Sequence, residues 1–480
     1  MNDSFVELPK EFLSLLKESV GEDYSELVKQ GLESTEVKTS IRFNNKSSRK
    51  LSEKYTLTPI AWAEDGYYIS PRPKFRDEPA FQTGAYYVQE SSSMGIEPAI
   101  KQLIASSRFK AIKESANRNF RMLDLCAAPG GKSTHLLSLF KTIASCYLVS
   151  NEVIRNRSSI LAENISKWGS ANVIVTNNDP KDFNSLGNFF DLILADVPCS
   201  GEGMFKKDMK AREEWSLENV QHCQSRQHRI IADIWPSLKK NGIMIYSTCT
   251  FNHLEDDDNI NWICETLGAE VVPVEYYDKD ISTTKSTKVI KTKTGGYKFL
   301  PGLVEGEGFF FAMIRKISEA PLEEKIKKAN KKGKVILPDN MSLLPSLLNI
   351  KGLKEGYILF QKNNFVKAYP INEYEEMLFV ESKLKSIHSG VVIGTLKKDI
   401  LIYDADFALS EIIDTLSFES YDASTEEIEK YLTKQSITLS TSPENKEYSK
   451  GYILIKYQNQ PVGFVKNLGN RTNNLWKIRR

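Results

Sequence analysis

Five short apolar runs limit what this chain can fold into. FRMLDL (120–125), SCYLVSN (145–151), NVIVTN (172–177), FDLILADV (190–197) and GIMIYSTC (242–249) are rich in β-branched or aromatic residues, with helix-patterned stretches between them. Runs this continuous belong to strands buried on both faces of a parallel sheet, with helices crossing between them. Residues 119–317 are therefore expected to form a doubly wound α/β domain. GFFFAMIRK (308–316) reads as its last, edge strand. A chain of 480 residues exceeds one domain. Residues 1–118 mix an amphipathic helix pattern (PKEFLSLLKESV) with strand-like runs (KTSIRFN, GYYIS), which predicts a small α+β module. The charged segment 315–334 reads as a helix or linker, and 318–400 and 401–480 as two small modules.

CAAPGGKST (126–134) lies between the first run and the helical THLLSLF, at a strand–turn–helix junction. A triphosphate-binding loop would place glycine at 126, where this chain has Cys126, so an ATPase reading is disfavoured. A nicotinamide cofactor wants Gly-x-Gly-x-x-Gly, which is absent here. Glu152 follows the second run, 22 residues after Gly130, the distance at which an acid accepts hydrogen bonds from a ribose diol. That combination points to S-adenosylmethionine, which needs ribose and adenine contacts but no phosphate cradle. Taken alone, the glycine turn is weak evidence, with a tight turn that binds nothing as the alternative.

Composition sets the outer bounds. A net charge of +2 makes any nucleic-acid surface local rather than global. The N-terminus has acids where a secretion signal needs basic residues, and no run nears the ~18 apolar residues of a membrane span. All six cysteines lie between 126 and 264 without a disulfide-rich spacing, so a reducing, cytoplasmic setting is expected. No Cys-x-x-Cys exists and the histidines are scattered, so no metal is expected.

Two cysteines stand out. Asp196, Pro198 and Cys199 follow the fourth run, and Cys249 ends the fifth. Both cysteines open onto the carboxyl edge of the sheet, where open α/β sheets bind ligands. A lone cysteine there is ordinarily a small core residue. Two at adjacent strand ends, beside an acid and a cofactor turn, suit methylation of a pyrimidine at carbon 5. That carbon is a weak nucleophile until a thiolate adds to carbon 6, and a carboxyl group near ring N3 stabilises the adduct. Cys126 and Cys146 read as structural, Cys223 and Cys264 as core.

DLCAAPGGK, DVPCSGEG and YSTCT, in this order and spacing, resemble the RNA cytosine-5 methyltransferases of the NSUN/RsmF type. AFQTGAYYVQESSSM (80–94) resembles the segment before that family's catalytic domain. The resemblance implies a Rossmann-like class I methyltransferase domain and S-adenosylmethionine as cofactor. It makes Cys249 the nucleophile and Cys199 the group that assists product release. Cys126, Ala127, Ala128, Pro129, Gly130, Gly131, Lys132, Glu152, Asp179 and Asp196 match the family's cofactor-binding positions, and Asp196 is also placed to touch the base. The chain departs from the family pattern at Pro301-Gly302, where Pro-His is common, and at Glu255-Asp256-Asp257, where Glu-Asn-Glu is usual. Lys206 and Lys207 match a basic pair common in the family, with a solvated surface as the alternative reading. The C-terminus resembles a PUA-like RNA-binding domain, and from Asn459 onward it has five basic residues and no acid. Interleaved with Tyr457, Phe464 and Trp476, those residues suit phosphate contact and base stacking. The resemblance implies a monomeric enzyme acting on RNA, with 16S ribosomal RNA or the small subunit the leading substrate. The competing functions are a transfer RNA methyltransferase and a ribosome-assembly factor without turnover.

Overall fold

The computed structural model describes residues 6–34, 36–46, 51, 53–107, 109–110, 119–143, 145–278, 288–319, 337, 341–344, 350–398, 400–440 and 447–477. The expected linker 315–334 lies, from 320 onward, outside the described residues.

The five apolar runs form Phe120–Asp124, Cys146–Asn151, Val173–Thr176, Phe190–Asp196 and Leu238–Thr248, all parallel. Across the sheet they run Leu238–Thr248, Phe190–Asp196, Phe120–Asp124, Cys146–Asn151, Val173–Thr176. The first strand is thus central, and the chain order reverses beside it. Such a reversal opens a crevice at the carboxyl ends of the strands. The first four strands have no exposed residue, which explains their continuous apolarity.

The strand Phe309–Lys316 pairs antiparallel with Leu238–Thr248, but it is not the edge. Tyr297–Phe299 and Ala269–Val271 both pair with it on its other side, and Ile290–Lys291 lies beyond. Phe309, Phe310 and Phe311 are all fully buried, which is what an interior strand requires of three aromatic residues in succession. The opposite edge comes from far along the chain. Ser386–Ser389 pairs antiparallel with Val173–Thr176, His388 opposite Val175. A buried ion pair, Arg121 Nε to Glu376 Oε2 at 2.8 Å, joins the first strand to the helix Tyr374–Lys383. Removing one partner of such a pair costs about 3–5 kcal/mol, because the other charge stays buried and unmatched.

Near the N-terminus, four strands pair in the order Thr56–Ile60, Ala63–Ser70, Thr39–Phe43, Tyr86–Val88. Arg42 from this sheet is buried against the Trp168 ring, donates to Gln89 Oε1 (2.9 Å) and Thr134 Oγ1 (2.6 Å), and so ties the sheet to the helix Gly131–Leu139. The helices Lys10–Val20 and Glu22–Glu33 pack Phe12, Leu16 and Val28 against Phe205, Trp215 and Phe251, residues that flank both cysteine turns. After the central sheet come a five-stranded antiparallel sheet and a smaller one of Ser420–Asp422, Gly451–Tyr457, Gln460–Asn467 and Thr472–Asn474. Phe464 (0% exposed) and Trp476 (2% exposed) lie in the cores of this region, so the expected base stacking by these two rings is corrected. Only Tyr457 of the three is half-exposed. Phe464 lies in a strand buried on both faces and Trp476 just past the last strand, packed near Tyr431, and burial of a large ring stabilises the fold.

Candidate active site

The first strand runs into the turn 125–130 and then the helix Gly131–Leu139. Gly130 has φ +115°, which a residue with a side chain rarely adopts, and this lets the chain reverse into the helix. Ala127, Ala128, Pro129 and Lys132 line a cleft here, closed on its far side by Tyr87 and Gln89 from the N-terminal sheet region. Asp124, Cys126, Gly131 and Asp196 also face it. Glu152 and Asp179 do not line this cleft.

The acids around the cleft are unevenly satisfied. Asp124 is fully buried; its Oδ2 accepts from Ser133 Oγ at 2.6 Å, while Oδ1 accepts no hydrogen bond. Burial raises its pKa to about 7, with Asp196 and Glu152 adding to the rise against the opposing Ser133 bond. Glu152 is 2% exposed, and its Oε1 accepts from the Ile154 N–H at 2.9 Å. Its Oε2 accepts no hydrogen bond, Arg157 Nη1 standing 3.5 Å away. A buried carboxylate oxygen without a donor is what a ribose hydroxyl would satisfy, so the residues fit S-adenosylmethionine. Asp179 instead caps the short helix Pro180–Leu186, accepting from the Lys181 N–H, and meets Arg229 at 3.4 Å. Lys132 Nζ pairs with Asp196 Oδ2 at 2.9 Å over the Phe309 ring. Burial opposes its charge, but Asp196 outweighs that and raises its pKa. The lysine of the supposed phosphate loop is thus occupied by a carboxylate. Ser247 Oγ donates to the other Asp196 oxygen at 2.7 Å.

The cysteines meet because their strands are neighbours in register, with Asp196 opposite Ser247. Cys199 Sγ and Cys249 Sγ lie 3.1 Å apart, Cys249 exposed and Cys199 half-buried. The hydrogen bond to Cys249, then burial, push the Cys199 thiol well above its usual pKa. Cys249 is the more exposed of the two sulfurs. The Gly203 N–H donates to Cys249 O at 2.8 Å. A Cβ at 203 would stand 2.8 Å from that same oxygen, so the close approach of the two turns requires glycine. Cys146 and Cys223 are buried with thiols pushed up to about 12 and about 11 by burial, and Cys126 and Cys264 are half-buried. Of the basic pair, Lys207 is bound to Glu307, and Lys206 is half-buried with its pKa lowered by burial.

The sequence reading gave no role to Tyr87, Gln89, Ser247 or the buried acids Glu202 and Glu255. Tyr87 and Gln89 lie inside AFQTGAYYVQESSSM, Ser247 inside YSTC, Glu202 inside DVPCSGEG, and Glu255 opens the triplet after the nucleophile turn, so a signal was present for all five. Among the described residues, no cluster of three or more His, Cys, Asp or Glu is arranged to hold a metal, and no helix is long and apolar enough to cross a membrane.

Known proteins resemble this chain in fold or in sequence. The solved structure of NSun6 from Pyrococcus horikoshii with SFG superposes with a TM-score of 0.53 at 19% identity, covering 65% of this chain and 99% of that one. The ribosomal RNA small subunit methyltransferase F of Citrobacter koseri is 27% identical over 435 residues, covering 88% of this chain and 84% of the relative. Its counterpart in Vibrio cholerae serotype O1 is 27% identical, covering 89% and 86%. Residues 8–91 match the N-terminal domain of 16S rRNA methyltransferase RsmF, and residues 418–476 match the methyltransferase RsmF PUA domain. Residues 112–315, which hold the glycine turn and both cysteines, match 16S rRNA methyltransferase RsmB/F, and with these three matched segments the chain belongs to this methyltransferase family.

Proposed function

We propose that this methyltransferase modifies carbon 5 of a cytosine in 16S ribosomal RNA, with Cys249 as the nucleophile at carbon 6. The observation that carries the reading is the pair of sulfurs 3.1 Å apart at the ends of adjacent strands. The cleft at the glycine turn is lined by Asp196 and Lys132. S-adenosylmethionine supplies an electrophilic methyl group when bound. The turn Cys126–Lys132, Glu152 and Asp196 would hold it, with Asp179 anchoring the neighbouring turn.

The chain's own residues do the rest. Cys249 adds its sulfur to carbon 6, and the displaced electron pair makes carbon 5 nucleophilic. Asp196, fixed by Lys132 and Ser247, faces the ring at N3, where a hydrogen bond stabilises the adduct. Cys199, its thiol proton released to solvent, then acts as the base that takes the proton leaving carbon 5. The electrons of that C–H bond restore the ring double bond and expel Cys249.

The names of the relatives from Citrobacter koseri and Vibrio cholerae support small-subunit RNA as the substrate. The PUA match at 418–476 supports an RNA-binding end. We assign 1–118 to an N-terminal RNA-binding module, 119–317 to catalysis, 318–400 to a linker and first C-terminal module, and 401–480 to the PUA-like domain. The enzyme acts as a cytoplasmic monomer without a metal. The test is trapping on RNA carrying 5-azacytidine. A denaturant-stable protein–RNA complex in the wild type, lost in Cys249→Ala, is expected; no complex in the wild type would overturn the covalent reading.

A further inference from the structure

Two fully buried glutamates lie between the cysteine turns, and the reaction consumes neither. Glu202 belongs to the turn that follows Cys199, yet its carboxylate accepts from backbone on the Cys249 side. Its Oε2 takes the N–H of Phe251 (2.8 Å) and of Asn252 (3.1 Å). Glu255 belongs to the turn that follows Cys249, and it reaches back the other way. Its carboxylate takes the Ser200 N–H, the residue after Cys199, at 3.0 Å, and Gln227 Nε2 at 2.8 Å. The Asn252 amide stands between them, donating to Glu202 Oε1 (2.8 Å) and Glu255 Oε1 (2.9 Å). Each turn is thus gripped by the carboxylate of the other.

A charge buried without a compelling role is costly, and two acids side by side cost more. A neutral turn with its own backbone bonds would be cheaper if only stability were at stake. The crossed arrangement does what a simpler one would not: neither turn can shift without breaking bonds to the other. We propose that Glu202 and Glu255 are positioning residues, a reciprocal strap that keeps Cys199 and Cys249 within reach of each other through the catalytic cycle. This rests on the reading of those two cysteines as the reacting pair.

The strap also has a titratable member. Burial and then Glu202 raise the Glu255 pKa to about 7, against the opposing bonds from Ser200 and Asn252. Glu202 and Cys199 face it from one turn, Cys223 from the helix Leu217–Ile234, and Tyr246 from the nucleophile strand. Asp256, 3.3 Å from Lys298 and with its pKa raised by burial against that lysine, lies next along the chain. A proton on Glu255 would sit on a carboxyl group that already faces N–H donors, so one strap bond is lost on protonation. The strap is therefore tight above about pH 7 and loose below it.

The test uses Glu255→Gln and Glu202→Gln in the full chain, the second serving if the first fails to fold. The rate of adduct formation on 5-azacytidine RNA is followed from pH 5.5 to 8.5, alongside the affinity for S-adenosylhomocysteine. Glu255→Gln is expected to slow adduct formation between about ten- and a hundredfold at pH 8, the scale of a misplacement near 1 Å. It should also lose the acid limb near pH 7 that the wild type shows, with cofactor-analogue affinity held within about twofold. Glu202→Gln should slow the step on the same scale. Wild-type rates and an unchanged pH profile in both variants would overturn the strap, as would a fall in analogue affinity that matches the fall in rate. If the wild type itself forms no adduct, the cysteine reading fails instead, so the two failures are told apart.

Discussion

Glu152 and Glu255 are both buried glutamates at the carboxyl edge of one sheet, and they are built for different purposes. Glu152 accepts one hydrogen bond, from Ile154, and leaves Oε2 without one. Glu255 takes donors from Ser200, Gln227 and Asn252. Asp124 repeats the first pattern and Glu202 the second. A buried acceptor left open costs about 1–3 kcal/mol until something fills it. Glu152 and Asp124 in the cofactor half thus hold unspent hydrogen-bonding capacity, whereas Glu202 and Glu255 have used theirs to fix two loops. In this pair of contrasts the open acceptors face the cofactor turn and the saturated ones tie the cysteine turns together.

The comparison breaks most sharply at Cys249. Cys249→Ala should reduce methyl transfer by on the order of 10⁴-fold or more, because nothing else in the site can activate carbon 5. Cofactor affinity should hold, since the sulfur belongs to the saturated half. Substantial turnover in this variant would remove Cys249 from the nucleophile role.

Cys199→Ala should leave adduct formation in place and slow release, on the order of 10²-fold, because the group that takes the carbon-5 proton is gone. Enzyme bound to its RNA should then accumulate as a slow-migrating band on a denaturing gel, and adding Cys249→Ala should abolish that band. The reverse assignment of the two cysteines predicts a band in Cys249→Ala and none in Cys199→Ala.

At the open half the effects are smaller and fall on binding. Glu152→Ala should weaken S-adenosylmethionine by about 1–3 kcal/mol, the worth of charge-assisted hydrogen bonds to a ribose. Isothermal titration showing equal affinity would leave the free Oε2 unexplained.

The two halves were not equally legible in the sequence. The parallel strands, the glycine turn and both cysteines could be read because each depends on local pattern: continuous apolarity, a glycine where φ is positive, a cysteine at a strand end. Glu202 and Glu255 were invisible as a strap, because their partners, Asn252 and Ser200, lie about 50 residues away and meet only once adjacent strands align. The sheet edge Ser386–Ser389 was missed for a similar reason. SIHS has no apolar run, and its pairing to Val173–Thr176 spans some 200 residues of chain. Phe464 and Trp476 show the opposite failure: aromatic residues among lysines and arginines looked like a stacking surface, while both rings pack into core clusters formed with residues distant in the chain.

The smallest effect tests whether open acceptors carry a pH signature. Asp124 rises from 3.8 to about 7 on burial, so its neutral form is the one the fold favours. Its contribution to stability is complete below the unfolded pKa and is lost as pH rises toward about 7. Asp124→Asn removes the ionisation and keeps an oxygen to accept from Ser133. The variant should therefore lose less stability than the wild type between pH 5 and pH 8. At pH 8 the relief should amount to a few degrees in Tm, about the shift that 1 kcal/mol gives in a large domain. Glu255 and Glu373, also raised to about 7, titrate in both proteins, so the variant's slope should flatten without vanishing. Thermal melts at both pH values decide it. Identical slopes would mean that Asp124 ionises freely in the folded chain, and the contrast between an open acid and a saturated one would then rest on hydrogen bonds alone.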